Sequence, residues 1–325
     1  MNSILIMLVK IIGSLPLGML YFFSDVIYFL FFRLGGYRKK VVYKNLKRSF
    51  PEKSGEEIKG IANRFYRYLA ELFVEEFKLY SLNENDLRKI VELKGYETCD
   101  KYFDQGKSII IVCAHYGNFE FGALRATLDL KHRVNTVYKP LNNKAFEAFL
   151  QKSRSKFGTN LVPTKKTYEN IEAERREGIL SATGLASDQA PKPSKGYWME
   201  FLNQDTPVFM GCERIARKYD IPVVYAEVDR IRRGRYVATF TDFCSSPTAT
   251  GNGEITEQFT MLIEKCIRRK PELWLWTHKR WKHKMPDNLP EEQLSKKYPV
   301  SSMHRPASAL TAPKDYNRAN QESPL

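Results

Sequence analysis

Ile109–Val112 is an unbroken run of branched aliphatic residues. A strand buried on both faces reads this way, and such strands belong to sheets covered by helices on each side. The chain around it keeps to that plan. After Asn83 the strand pattern recurs over Ser108–Ala114, Val134–Tyr138, Ile179–Ser187, Met199–Leu202, Pro222–Val228 and Tyr236–Phe240. Between or after these strands, Phe119–Leu128, Lys144–Phe157, Thr167–Glu177, Gly211–Tyr219 and Glu254–Arg269 read as helices. The alternation predicts an α/β fold with a single, largely parallel or mixed sheet flanked by helices. Ahead of it, Gly55–Tyr80 has apolar residues near 3.6 spacing, and Ser54 with Glu57 forms a capping box.

The N-terminal stretch adds a second constraint. Ile11–Phe32 is 22 residues long, close to the ~20 that a helix needs to cross hydrocarbon. It is too long for the apolar region of a signal peptide, and no small-residue cleavage site follows it. Seven bases lie between Arg33 and Arg48, which by the positive-inside rule keeps the following chain in the cytoplasm. Pro16 and Asp25 fall inside the stretch; proline kinks or starts a helix, and a carboxylate in lipid is costly. A spanning helix, an in-plane amphipathic anchor and a buried hairpin of two short helices all fit. The first two place the protein on a membrane. The sequence thus predicts an N-terminal membrane-anchoring helix within residues 1–33, one folded domain over 34–290, and a polar tail over 291–325. From Val300 onward Ser, Pro, Ala, Thr and Asn dominate, a composition that predicts disorder.

The formal net charge is +15, which calls for an anionic partner. Nucleic acid is a poor candidate, because the basic run abuts an apolar stretch and no nucleic-acid-binding motif is present. An anionic membrane surface or an acidic carrier fits better. The five cysteines show no CxxC spacing, so neither a disulfide framework nor a zinc site is expected. His278 and His283 are a close histidine pair without carboxylates at ligand spacing, and no metal site is predicted.

Four groups of residues could carry chemistry. His115, Tyr116, Gly117, Asn118, Phe119 and Glu120 follow the apolar strand directly, where open α/β sheets place their ligands. The imidazole of His115 suits a general base. Glu120 could accept its other ring N–H, and free helix N–H groups near Asn118 could face an oxyanion. A core or capping histidine fits the bare spacing equally. Asp188 and Gln189 directly follow the strand candidate Ile179–Ser187, and suit either a headgroup contact or an Asx turn before Pro191. Lys139 ends another strand, with Arg154 in the helix after it; both cations suit phosphate or a thioester carrier. Finally, Trp274, Trp276 and Trp281 lie among cations, as in an interfacial belt or, alternatively, a packed core.

At these residues the chain resembles the late acyltransferases of lipid A biosynthesis, of the lauroyl/myristoyl type, within the wider lysophospholipid acyltransferase superfamily. The likeness runs from the N-terminal stretch to about Met285. It is carried by Tyr37-Arg38, Asn45-Leu46, Phe50-Pro51, His115–Glu120, Val137–Pro140, Asp188-Gln189 and Pro271–Lys282. The resemblance implies a glycerolipid acyltransferase-like fold and acyl transfer without a covalent enzyme intermediate or cofactor. The donor would be a thioester on acyl carrier protein. The acceptor would be the 3-hydroxyl of an acyl chain already on a lipid A precursor. His115 would be the base, oriented by Glu120; Asn118, Lys139, Arg154, Asp188 and Gln189 would contact substrate. The implied location is the inner membrane of a Gram-negative bacterium, with the catalytic domain on the cytoplasmic side. Lys139 departs from the arginine common in the family, losing a bidentate fork. Alternative readings are another lipid acceptor, such as a lysophospholipid or aminolipid, a thioesterase, and a non-catalytic membrane- or carrier-binding module.

Overall fold

The computed structural model describes residues 11–30 and 36–300. Its strands are β1 (Val91–Lys94), β2 (Ile109–Cys113), β3 (Arg133–Tyr138), β4 (Asn160–Pro163), β5 (Ser181–Ala186), β6 (Tyr197–Phe201), β7 (Gln204–Val208), β8 (Val223–Arg232) and β9 (Arg235–Cys244). Its main helices are α1 (Leu17–Tyr28), α2 (Lys39–Ser49), α3 (Gly55–Ser81), α4 (Glu84–Ile90), α5 (Glu97–Asp104), α6 (Phe119–Asp129), α7 (Lys144–Arg154), α8 (Thr167–Arg176), α9 (Gly211–Tyr219) and α10 (Glu254–Arg269).

Seven strands form one sheet in the order β1-β9-β8-β2-β5-β3-β4. The segment β8-β2-β5-β3-β4 is parallel throughout, β9 runs antiparallel to β8, and β1 runs parallel to β9. The sheet is therefore mixed, within the α/β class expected. β2 lies near its centre, and Ile109–Val112 are all buried. Two apolar clusters cover the two faces. One joins α2, α3, α9 and α10 to the sheet, and the other is built around α4, α5 and α6.

The expectation of a single sheet needs one correction. Met199 and its neighbours lie in a separate antiparallel hairpin, β6–β7. Leu202 and Asn203 turn that hairpin with φ of 49° and 60°, the left-handed pair that a two-residue turn between twisted strands requires.

The N-terminal stretch does not form one long helix. Pro16 caps α1, and no helix of the described residues is long and apolar enough to cross a membrane. At 12 residues, α1 is ~18 Å long. It lies along α3 with Leu20, Tyr21 and Ser24 buried, while Phe22 is 69% exposed and Met19, Phe23 and Val26 are also exposed. Asp25 is ion-paired to Arg233 at 2.9 Å. Phe31 and Phe32 lie outside the described residues.

The tryptophan segment is core, not a belt. Trp274 and Trp276 are wholly buried, stacked edge to face at 4.8 Å. Residues 291–300, expected to open the polar tail, pack against the hairpin. Leu294 pairs with Trp198, Glu200 N–H donates to the Tyr298 carbonyl, and Val300 is buried. Residues 301–325 of that tail lie outside the described residues.

Candidate active site

The site is built at the carboxyl ends of β2 and β5. Their parallel register pairs Cys113 with Ala186. Two residues further along each strand stand His115 and Asp188. Ser187 N–H still donates to the Cys113 carbonyl at 3.1 Å, so the two chains remain side by side up to the site.

The turn after β2 is tightly specified. Gly117 has φ of +60°, and a Cβ there would lie 1.7 Å from the Val228 carbonyl oxygen, so both backbone and space demand glycine. Gly117 N–H donates to the Leu273 carbonyl, and Tyr116 pairs with Trp274. Asn118 then caps α6 by accepting the Phe121 N–H at 2.9 Å.

The carboxylate at the His115 ring is Asp188. His115 Nδ1 lies 2.7 Å from Asp188 Oδ1, and His115 backbone N–H donates to Asp188 Oδ2. Trp274 Nε1–H donates to the same Oδ2 at 2.8 Å. Burial would raise the Asp188 pKa, but His115, its hydrogen bonds and the Trp274 indole overcome it and hold the group at about 2. An ionised Asp188 fixes the proton of neutral His115 on Nδ1, which leaves Nε2 as the basic nitrogen. Burial would lower the His115 pKa, yet Asp188 and then Glu120 raise it above the ordinary imidazole value. The His115 side chain keeps 21% exposure. Its ring sits 4.8 Å from Phe119, and Gln189 Nε2 lies 3.4 Å from Nε2.

Glu120 does not bond to His115. It is buried in the first turn of α6 and forms a two-pronged ion pair with Arg154 of α7, with Nε at 2.9 Å and Nη2 on the second oxygen. The place at the imidazole expected of Glu120 is thus taken by Asp188. A carboxylate on the following helix points along that helix's own face, whereas β5 delivers one directly to Nδ1. Glu76 of α3 faces the same pair, and burial with the neighbouring Glu120 pushes its pKa well up.

Asn118 also departs from the expected substrate-contacting set. It is 1% exposed, and its amide is occupied at both ends, by Phe121 and by Glu75. Lys139 stands exposed past the end of β3, at the same sheet edge but two strands from β2. It makes no hydrogen bond or ion pair among the described residues.

Glu75, which braces Asn118, escaped the sequence analysis. Trp274 was singled out there for another role; it braces Asp188, and buried Arg280 adds a positive charge near Asp188. Burial and Arg280 depress the His278 pKa to about 4, leaving that ring neutral. Arg38 and Asn45 donate to the carbonyls of Thr277, Trp276 and His278, so those two residues brace the tryptophan segment from outside. No cluster of His, Cys, Asp or Glu suited to a metal occurs among the described residues.

A histidine–aspartate pair at the carboxyl edge of a mixed α/β sheet defines a candidate acid–base enzyme. The chain belongs to the bacterial lipid A biosynthesis acyltransferase family, whose model matches residues 1–283. Among characterised relatives it is 22% identical over 248 residues to the lipid A biosynthesis palmitoleoyltransferase of Escherichia coli (strain K12), covering 75% of this chain and 79% of that one. The lipid A biosynthesis acyltransferase of Shigella flexneri matches to the same extent. The Escherichia coli (strain K12) lipid A biosynthesis lauroyltransferase is 22% identical over 258 residues, 78% of this chain and 81% of that one.

Proposed function

We propose that the protein transfers a fatty acyl chain from an acyl carrier protein thioester to the 3-hydroxyl of an acyl chain on a lipid A precursor. The observation that carries this reading is the bond from His115 Nδ1 to buried, ionised Asp188, which leaves Nε2 basic and partly exposed. The acceptor hydroxyl gives its proton to Nε2 as its oxygen attacks the thioester carbonyl. The tetrahedral intermediate then collapses, the C–S bond breaks, and the imidazolium returns the proton to the leaving thiolate. Asp188 stabilises the imidazolium between the two steps.

The first-turn amides of α6 at Phe119 and Glu120 have no intrahelical acceptor and offer donors to the developing oxyanion. Arg154, held rigid by Glu120, and Lys139 supply cations for phosphate groups of the acceptor or the carrier's prosthetic arm. Gln189, beside Nε2, orients the incoming hydroxyl. The acidic carrier docks against the basic surface.

The exposed apolar face of α1 rests in the interfacial layer of the inner membrane with the catalytic domain on the cytoplasmic side. Support comes from its composition: aromatic and aliphatic residues outward, polar ties inward.

Mass spectrometry of lipid A from cells with and without the gene tests the reading. Lipid A should lose one acyl chain on deletion, regain it with wild type, and not regain it with His115→Ala. Unchanged lipid A would move the acceptor to another lipid in the same extracts.

A further inference from the structure

We propose that Glu75 is a positioning residue that couples α1 to the catalytic turn, so that seating α1 on a bilayer stiffens the segment carrying His115. The proposal rests on the readings of His115 as base and of α1 as bilayer-facing.

Glu75 sits in α3 with 0% exposure. Its carboxylate receives donors from three separate parts of the fold. Tyr21 of α1 donates its hydroxyl at 2.6 Å, Asn118 of the catalytic turn its amide at 2.7 Å, and Tyr236 of β9 its hydroxyl at 2.8 Å. Buried carboxylates are stable only with such partners, so Glu75 ties α1 and the catalytic turn to one point on α3.

Asn118 is the pivot. Its Nδ2 is committed to Glu75 and its Oδ1 to the Phe121 N–H. A displaced Asn118 uncaps α6 and loosens the turn that begins at His115. At the other end, Tyr21 faces inward from α1 while Met19, Phe22, Phe23 and Val26 face outward. Among the described residues, the apolar cluster under α1 is small: Leu20, Tyr21 and Val74, with Leu15, Leu17 and Ile27 against it.

Polar ties complete the seat. Arg233 donates to the Tyr21 carbonyl, to Ser24 Oγ and to Asp25, and also pairs with Glu71, one turn before Glu75 on α3. A helix held by a small apolar patch and a shared polar network opens locally at lower cost than the core. Bilayer contact on its outer face favours the seated state, and Tyr21, Glu75 and Asn118 carry that preference to the turn.

Hydrogen exchange of the full chain, with and without vesicles of phosphatidylethanolamine and phosphatidylglycerol, tests the coupling. In wild type, vesicles should slow exchange in the Tyr116–Phe121 segment by roughly threefold or more. Tyr21→Phe and Glu75→Gln should still co-sediment with vesicles yet lose the slowing. Tyr236→Phe, which removes a bond to the same carboxylate without touching α1, should keep it. The coupling is overturned if wild type shows no slowing, if Tyr21→Phe responds like wild type, or if Tyr236→Phe loses the response as fully as Tyr21→Phe. Wild type that fails to co-sediment would remove the membrane reading and the coupling with it. His115→Ala should keep the exchange response; if it also retained acyl transfer, the base assignment would fall, and the coupling would lose its catalytic role.

Discussion

His115 has two ring nitrogens with different neighbours, and that difference sets how the protein should respond to pH. Its raised pKa lies above the ordinary 6.5. With the neutral ring as the proposed base, kcat/KM should rise with pH through a value above 6.5 and then level off. Asp188→Asn removes the charge that raises this pKa. Its rising limb should shift to lower pH while the plateau falls ~10²–10⁴-fold. The two members of the pair both stabilise the fold, with opposite pH dependence. Asp188, depressed from 3.8 to about 2, stabilises the fold above its unfolded pKa and loses that contribution as pH falls towards about 2. His115 stabilises fully below its unfolded pKa and loses the contribution as pH rises through the raised folded value. Gly117→Ala should destabilise by at least ~1–3 kcal/mol in thermal melts, because positive φ and a carbonyl both oppose a Cβ. The histidine itself was legible in the sequence, from the apolar strand before it and the glycine turn after it. Its true partner was visible only as a strand-end acid. The register that sets Asp188 beside His115 belongs to two strands about seventy residues apart, and nothing local to either encodes it. The spacing from His115 to Glu120 was local and pointed elsewhere.

Among the elements, α1 shows most clearly what pattern reading can and cannot reach. The apolar content of Ile11–Phe32 was plain, but its division at Pro16 into a short helix against α3 depends on what lies beneath. Asp25 looked costly in lipid; it is held instead by Arg233, from a turn more than two hundred residues away. Replacing Phe22 and Phe23 together by Asp should reduce vesicle co-sedimentation by an order of magnitude or more, with the circular dichroism spectrum unchanged, since both rings are outside the core. The tryptophan segment failed differently. Trp residues among cations fit a membrane belt or a core equally, and the choice is made by Phe50 and Phe201, which pack on Trp276 and Trp274. The short strands β1 and β4, four residues each, gave too little periodicity to find. The capping box at Ser54 and Glu57, by contrast, is wholly local and forms as read.

At the scale of the whole molecule, the alternating pattern specified helices packed on both faces of a largely parallel sheet. It did not specify strand order. That order gathers the strand ends bearing His115 and Asp188 into one site, with Lys139 exposed further along the same edge. The reversed β8–β9 hairpin also supplies Arg233 to α1 and Tyr236 to Glu75, so α1 and the candidate site share a scaffold. Membership of the lipid A biosynthesis acyltransferase family gives this edge its chemical context. The measurement that tests the account most directly is the rate of acyl transfer from acyl carrier protein thioester to a purified lipid A precursor, for wild type, His115→Ala, Asp188→Asn and Glu120→Gln. The account predicts that His115→Ala loses ~10³-fold or more and Asp188→Asn ~10²–10⁴-fold in kcat with KM for the acceptor little changed. Glu120→Gln should act chiefly on KM, through Arg154. Full activity in His115→Ala, or a kcat loss in Glu120→Gln with none in Asp188→Asn, would contradict it.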